Sequence, residues 1–184
     1  GYEDRAGFTT DSLANKAYVD QVAQGLDTKP SCRVATTANL SATYSNGSSG
    51  VGATLTAGSN GAIVIDGVSL SVNDRVLVKD QSTAAQNGIY KVTTQGSGSA
   101  AFVLTRATPE DQPSELSGGA FTFVEEGTAN ANNGYVFTHT GQPTFGSTSL
   151  DVAQFSGAGQ ITAGAALTKT ANQLDVAVDD SSIE

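Results

Sequence analysis

The strongest constraint in this sequence is a two-residue alternation of apolar and polar side chains, repeated in short segments between turn signals. From residue 32 onward these segments are rich in Val, Ile, Thr and aromatic residues, the types that favour strands. They cover residues 32–37, 62–65, 75–79, 89–94, 102–106, 120–125, 135–139 and 151–155. Dipeptides typical of tight turns separate them, among them Asn60-Gly61, Asp66-Gly67 and Asn87-Gly88.

This spacing predicts a mainly β fold with an antiparallel β-sandwich or small barrel over residues 31–156. Alternation alone leaves open which set of side chains points inward, because a shift of one residue exchanges the two faces of a strand. We expect the core to be dominated by Ile63, Ile65, Val76, Val78, Ile89, Val92, Phe102, Leu104, Phe121, Phe123, Phe137 and Phe155.

Before the strands, residues 11–26 have a helical period. Asp11 or Ser12 can cap the helix start, and Gly25 with Pro30 supplies stop signals. One stripe of this helix carries Asn15, Tyr18, Val19, Val22 and Leu26. The stripe has the spacing of a coiled-coil seam over only about two heptads, which is marginal for an isolated helix in water. We therefore predict a coiled-coil-like trimerisation helix in an N-terminal segment, residues 1–30.

The last segment, residues 157–184, is rich in Gly and Ala and contains two short alternating stretches, 167–170 and 174–178. So thin a strip cannot bury both of its faces within one chain. We interpret it as the start of a β-spiral-like shaft repeat, in which Leu167, Leu174 and Val176 meet neighbouring copies.

Composition excludes several functions. The chain has 184 residues, 18 acidic and 9 basic, and a formal net charge of −9, without a Lys/Arg run. Such a surface repels phosphate backbones, so we expect no nucleic-acid partner. Without an apolar run of about 18 residues, we expect no membrane insertion. Because Met is absent and the N-terminus lacks the features of a signal peptide, the sequence reads as a piece of a longer protein.

The residues that carry most enzyme chemistry are scarce. His139 and Cys32 are the only His and Cys, which is too few for a tetrahedral zinc site, and no Gly-x-Ser-x-Gly motif occurs. The adjacent Glu125 and Glu126 point to opposite faces of a strand, a poor geometry for glycoside cleavage. We expect neither an enzyme nor a cofactor or metal. Loops dense in Asn and Ser suit weak sugar contacts instead, and the candidate receptor-contact residues are Tyr44, Asn46, Asn130, Asn132 and Phe145.

Several stretches resemble one protein family when taken in order. Residues 16–20, Lys-Ala-Tyr-Val-Asp, resemble a helix that recurs in trimeric tail-fibre proteins of bacteriophages. The stretches 33–40, 65–68, 74–80, 86–90, 123–127, 155–158, 167–170 and 174–176 resemble a fibre module of the same family. Residues 45–60 depart from that pattern as an insertion that lengthens the first loop.

The resemblance implies a homotrimeric structural component of a virion tail that supports host attachment. Its partners would be copies of itself, other virion tail proteins and, as a further candidate, a host surface glycan. Two other classes stay open. A carbohydrate-binding receptor-recognition module would expose ring-stacking side chains beside polar groups, and a tail-associated glycan hydrolase would need paired carboxylates in a cleft.

Overall fold

The computed structural model describes residues 27–156, 164, 167–170 and 173–176. The predicted helix over residues 11–26 lies outside this part of the chain, together with its seam residues Asn15, Tyr18, Val19, Val22 and Leu26. The described chain is mainly β, as predicted.

Short strands account for most of the regular structure. Within residues 27–156, the 3₁₀ turns Ala84–Gln86, Thr108–Glu110 and Pro113–Glu115 lie between them. The strands are β1 (Val34–Ala35), β2 (Ala42–Ser45), β3 (Thr54–Ala57), β4 (Val64–Ile65), β5 (Val68–Ser69), β6 (Arg75–Val78), β7 (Gly88–Thr94), β8 (Val103–Arg106), β9 (Phe121–Phe123), β10 (Gly134–Phe137), β11 (Val152–Gln154), β12 (Leu167–Thr170) and β13 (Gln173–Val176).

A six-stranded sheet forms the centre, in the order β1-β6-β7-β8-β3-β2. Its pairs are antiparallel except β1 with β6, which is parallel, so the expectation of a wholly antiparallel module is wrong at this edge. The physical reason is the connection. A tight hairpin forces an antiparallel pair, whereas the long chain between β1 and β6 is free to bring the second strand back in the same direction. No barrel closes among the described residues.

A second sheet has the order β11-β10-β9. Residues 27–32 extend it as a parallel neighbour of β9, with bridges between Thr28 and Phe121 and between Cys32 and Val124. The backbone N–H of Lys29 donates to the carbonyl of Phe121, and that of Cys32 to the carbonyl of Phe123, each at 2.8 Å. The segment directly after the predicted helix is therefore fixed against the β module.

Two apolar cores lie on the two faces of the six-stranded sheet. Along β6, Val76 and Val78 point into one core and Leu77 into the other, which explains why this strand is a continuous apolar run. The first core joins the two sheets and contains Cys32, Ala35, Leu77, Ile89, Ala107, Leu116, Ala120, Val124, Tyr135, Phe137, Phe145 and Leu150. The second contains Val34, Leu55, Ile63, Ile65, Leu70, Val76, Val78, Tyr90, Val92 and Leu104.

The predicted core is largely correct for the six-stranded sheet and wrong for β9 and the end of β11. Eight of the expected residues are buried, namely Ile63, Ile65, Val76, Val78, Ile89, Val92, Leu104 and Phe137, and Phe102 is partly buried. Phe121, Phe123 and Phe155 instead lie on the outer face of the small sheet. The inward residues are Thr122 of β9 and Val124 directly after the strand.

Residues 45–60, expected to be a lengthened loop, contain the end of one strand and the whole of the next. β2 and β3 form a hairpin at the edge of the six-stranded sheet, with Tyr44 opposite Leu55. Leu55 is fully buried and lies between Tyr44 and Leu104 of the neighbouring strands. The stretch is rich in Ala, Ser, Thr and Gly and has one large apolar residue at the centre of a strand, so its sequence signal is weak.

The C-terminal stretches 167–170 and 173–176 form an antiparallel hairpin. The second strand begins at Gln173, one residue before the predicted 174–178, and residues 177 and 178 lie outside the described part of the chain. Leu167 pairs with Val176, and both side chains are exposed. Leu174 pairs through its backbone with Lys169.

Candidate interaction surfaces

The structure joins three of the predicted receptor-contact residues in one small network. The Tyr44 hydroxyl donates a hydrogen bond to Asn46 Oδ1 at 2.7 Å. Asn46 Nδ2 donates to the carbonyl of Phe145 at 3.1 Å, across 99 positions of sequence. Tyr44 and Asn46 are half-buried, so part of each side chain is open to solvent.

Phe145 itself is buried and covers a buried cation. The Arg106 guanidinium lies between two rings, 4.5 Å from the centroid of Phe145 and 4.9 Å from that of Tyr90. Arg106 Nη2 donates to the carbonyl of Asn87 at 3.2 Å and to the Tyr90 hydroxyl at 3.0 Å. The Phe145 ring therefore stabilises this cation inside the fold and is not presented to a sugar ring.

Asn130 is buried as well. Its Nδ2 donates to the carbonyls of Ala35 and Thr36 at 3.2 and 3.3 Å and to Asp66 Oδ2 at 3.0 Å. Its Oδ1 accepts a hydrogen bond of 2.6 Å from the Tyr135 hydroxyl. This side chain ties the loop after β9 to β1. A buried polar group needs such partners, so we assign Asn130 to the fold.

Asn132 is the remaining predicted contact residue. It is exposed and adopts a left-handed backbone with φ 61°. Asn tolerates this conformation better than most side chains, which explains its place in a tight turn. Of the five predicted residues, Tyr44, Asn46 and Asn132 thus retain solvent-facing groups.

A surface depression that the sequence did not indicate lies elsewhere. Its volume is about 310 Å³. Its wall combines amide and hydroxyl side chains with the half-buried Leu40 and Phe102. None of the predicted receptor-contact residues lines it. It forms from the ends of three separate segments, 39–41, 57–62 and 102, which only the tertiary structure brings together.

The chemically reactive groups are held apart. Cys32 is fully buried, and burial raises the pKa of its thiol to about 12. His139 Nε2 lies 3.1 Å from the carbonyl of Leu116. Glu125 accepts a hydrogen bond from the Ser31 hydroxyl, and Glu126 forms an ion pair of 3.1 Å with Arg33. The two carboxylates thus have different partners.

The part of the chain that the structure describes contains no group of three or more His, Cys, Asp or Glu side chains placed to hold a metal ion. Within the same residues, no helix has the length and hydropathy of a membrane span.

One ion pair lies in the interior. Arg75 Nη2 donates to Glu110 Oε1 at 2.8 Å, and the Glu110 side chain is fully buried. Burial raises the pKa of Glu110, and the neighbouring guanidinium opposes that shift. The pair joins β6 to the 3₁₀ turn after β8 and belongs to the fold, since removing one partner would leave a buried charge uncompensated.

The outer side of the small sheet carries an exposed cluster of aromatic rings. The rings of Phe121, Phe123 and Phe155 form an edge-to-face triangle with centroids 5.7 to 6.2 Å apart. Phe123 is 46% exposed and Phe155 is 43% exposed. We call this surface the phenylalanine face. It consists of Phe121, Phe123, Gly134, Val136, Ala153 and Phe155.

Gly134 makes room for this arrangement. A Cβ atom at that position would lie 2.6 Å from Cζ of Phe155 and 3.0 Å from Cε1 of Phe123. The first contact is shorter than a Cβ atom tolerates and the second is at the tight limit, so the two rings rest directly on the backbone of β10.

Compared with the models of protein families, with curated proteins and with solved structures, the chain has no significant match.

Proposed function

We propose that this chain is a structural segment of a bacteriophage tail fibre or tail appendage, homotrimeric and supporting host attachment. The proposal places it in the virion tail, with copies of itself and other tail proteins as partners. The resemblance of the ordered stretches described above is one support. The direction of the chain through the small sheet is the other.

That direction is the single observation that carries the proposal. Residues 27–32 run parallel to β9, and β11 does too, because each of β9 and β11 is antiparallel to β10. The chain therefore enters the sheet beside Phe121 and leaves it after Phe155, which lies beside Gly134 and Phe123. Entry and exit are at opposite ends of one sheet. A module in a fibre needs this geometry, since the chain must continue along an axis.

The two flanking segments complete the proposal. The helix predicted over residues 11–26 would be a three-stranded coiled coil, with Val22 touching its symmetry mates. The hairpin of β12 and β13, whose Leu167 and Val176 are exposed, would be the first turn of a β-spiral shaft. A helix of about two heptads and a two-stranded hairpin are each marginal alone in water, and threefold association would supply a partner surface for both.

Light scattering of the full chain at micromolar concentration tests the proposal. We expect a mass three times the 18.6 kDa of one chain. Val22→Asp should lower that mass, because three like charges would meet at a poorly hydrated axis. Circular dichroism should show that the β content is kept. Val51→Asp, at a side chain 46% exposed in the β2–β3 turn, is the control and should remain trimeric. A monodisperse wild-type monomer would contradict the trimer.

A carbohydrate-binding module is the second candidate, favoured by the depression of about 310 Å³. Phe102 offers an apolar surface there beside the polar groups of Ser59 and Asn60. Titration of host surface oligosaccharides into the wild type and into Asn60→Ala separates the two functions. Saturable binding that the substitution abolishes would support a receptor-binding module, whereas no binding at millimolar sugar would leave the chain a spacer.

A further inference from the structure

Three phenylalanine rings pack on one another on the outer face of the small sheet, outside both cores. The sequence expectation placed Phe121, Phe123 and Phe155 inside, and the strand register places them outside. Exposed single apolar residues are ordinary, whereas a contiguous apolar face marks an interaction site. The phenylalanine face is contiguous, since its six members occupy two adjacent rows across three paired strands.

The distribution of charge around this face is that of an interface. No charged side chain lies in its two rows. Carboxylates stand at the ends of the strands, with Glu125 two residues beyond Phe123 and Asp151 two residues before Ala153. Both are exposed. An apolar centre with a polar rim is the usual anatomy of a protein–protein contact.

We propose that the phenylalanine face is the contact through which the β modules of neighbouring copies of this chain associate. The inference rests on the proposed trimer. It goes further because it assigns part of the contact between copies to named residues of the β module, in addition to the predicted helix. Phe123 and Phe155 lie at its centre, with Phe121 and Val136 beside them.

The net charge of the chain favours a second copy as the partner that binds the phenylalanine face. Each chain has a net charge of −9, so most pairs of surfaces on two copies bring carboxylates together. An uncharged apolar surface is free of that repulsion. The face also lies between the points where the chain enters and leaves the small sheet. Asp27 lies at one end of the sheet, where its carbonyl accepts a hydrogen bond from the N–H of Phe121, and Ser156 follows Phe155 at the other end.

The geometry of the rings disfavours a sugar at this site. The three interplanar angles are 86°, 86° and 71°, so each ring turns an edge toward another ring instead of adding to one flat platform. The members of the face also lack polar side chains that would orient hydroxyl groups.

The test compares two double variants of the full chain. Phe123→Ser with Phe155→Ser removes the centre of the face. Val64→Ser with Val72→Ser removes two side chains, 57% and 51% exposed, that lie elsewhere on the surface. Sedimentation equilibrium gives the dissociation constant of each. We expect the phenylalanine variant to raise it by at least roughly tenfold, as the loss of central aromatic anchors does at other interfaces. The valine variant should leave it unchanged.

The outcomes are distinguishable. A trimeric wild type whose dissociation constant is unaffected by the phenylalanine substitutions would overturn this inference and leave the proposed fibre function intact. A wild type that is monomeric would overturn both. If the double variant loses its native circular dichroism spectrum, Phe123→Ser alone, which keeps Phe155 over Gly134, replaces it, and an unchanged constant in that variant would likewise refute the assignment.

Discussion

The hairpin of β2 and β3 gives the sharpest test of the fold, because the sequence predicts a lengthened loop over residues 45–60, where the structure has the end of β2 and the whole of β3. Leu55 is fully buried in the second core, between Tyr44 and Leu104 on the neighbouring strands. If the hairpin is part of the folded module, truncating this side chain must destabilise the whole of it. If the stretch were a loop, truncation would change little.

Leu55→Ala deletes three buried carbon atoms. At about 0.8 kcal/mol for each buried methylene, the transfer free energy alone is about 2.4 kcal/mol. The second core closes around Leu55 from both neighbouring strands, so a cavity contribution adds to this, and the expected loss in the free energy of unfolding is about 3 to 4 kcal/mol. That is a large part of the total stability of a domain of this size.

Urea unfolding followed by circular dichroism measures the change, read from the transition midpoint at constant slope. Val51→Ala is the matched control, since Val51 lies in the turn of the same hairpin and is 46% exposed. We expect it to change the free energy of unfolding by less than about 0.5 kcal/mol. A loss below about 1 kcal/mol for Leu55→Ala would refute the burial of this strand.

Two predictions concern buried ionisable groups. Burial raises the pKa of Glu110 above its ordinary 4.5, so the folded state binds this proton more tightly than the unfolded chain does. The contribution of this group to the free energy of unfolding is therefore greatest below pH 4.5 and declines as pH rises toward the raised pKa. The stability of the wild type relative to Glu110→Gln, from urea midpoints at several pH values, should therefore fall with rising pH, and a rising difference would contradict the assignment. Because the pKa of Cys32 is raised to about 12, its thiol should react with iodoacetamide at pH 8 only after the chain is unfolded in urea. Mass spectrometry follows the labelling. If the folded chain were labelled as fast as the unfolded chain, the thiol would be accessible and the assignment would be wrong.

The mainly β character and much of the six-stranded sheet were predictable from local sequence. Segments such as 75–79 and 89–94 combine β-branched and aromatic residues with turn dipeptides on either side, and they appear as β6 and β7 with their apolar residues buried. A strand buried on both faces is recognisable because nearly all of its residues are apolar, so no choice of face has to be made.

The face that β9 turns inward was not predictable in the same way. Phe121 and Phe123 are the more apolar set, yet Thr122 and Val124 are inside. The pairing of β9 with residues 27–32 accounts for this. The Thr122 hydroxyl donates to the carbonyl of Pro30 at 3.0 Å, and Cys32 pairs with Val124 as a buried neighbour. Hydrophobicity ranks the two faces of one strand, whereas register depends on partners about 90 residues away.

The candidate receptor-contact residues also divide into those whose place follows from local sequence and those whose place depends on distant partners. The sequence correctly indicated that Asn46 and Asn132 belong to turns, because a local backbone preference decides this. It did not indicate that Asn130 and Phe145 are buried, since their partners Ala35, Asp66 and Arg106 are distant in sequence. What the sequence alone determined is the period and the turns, which act over a few residues. Which side of each strand is covered was decided only by the tertiary structure, because burial is a property of the neighbours that long-range pairing supplies.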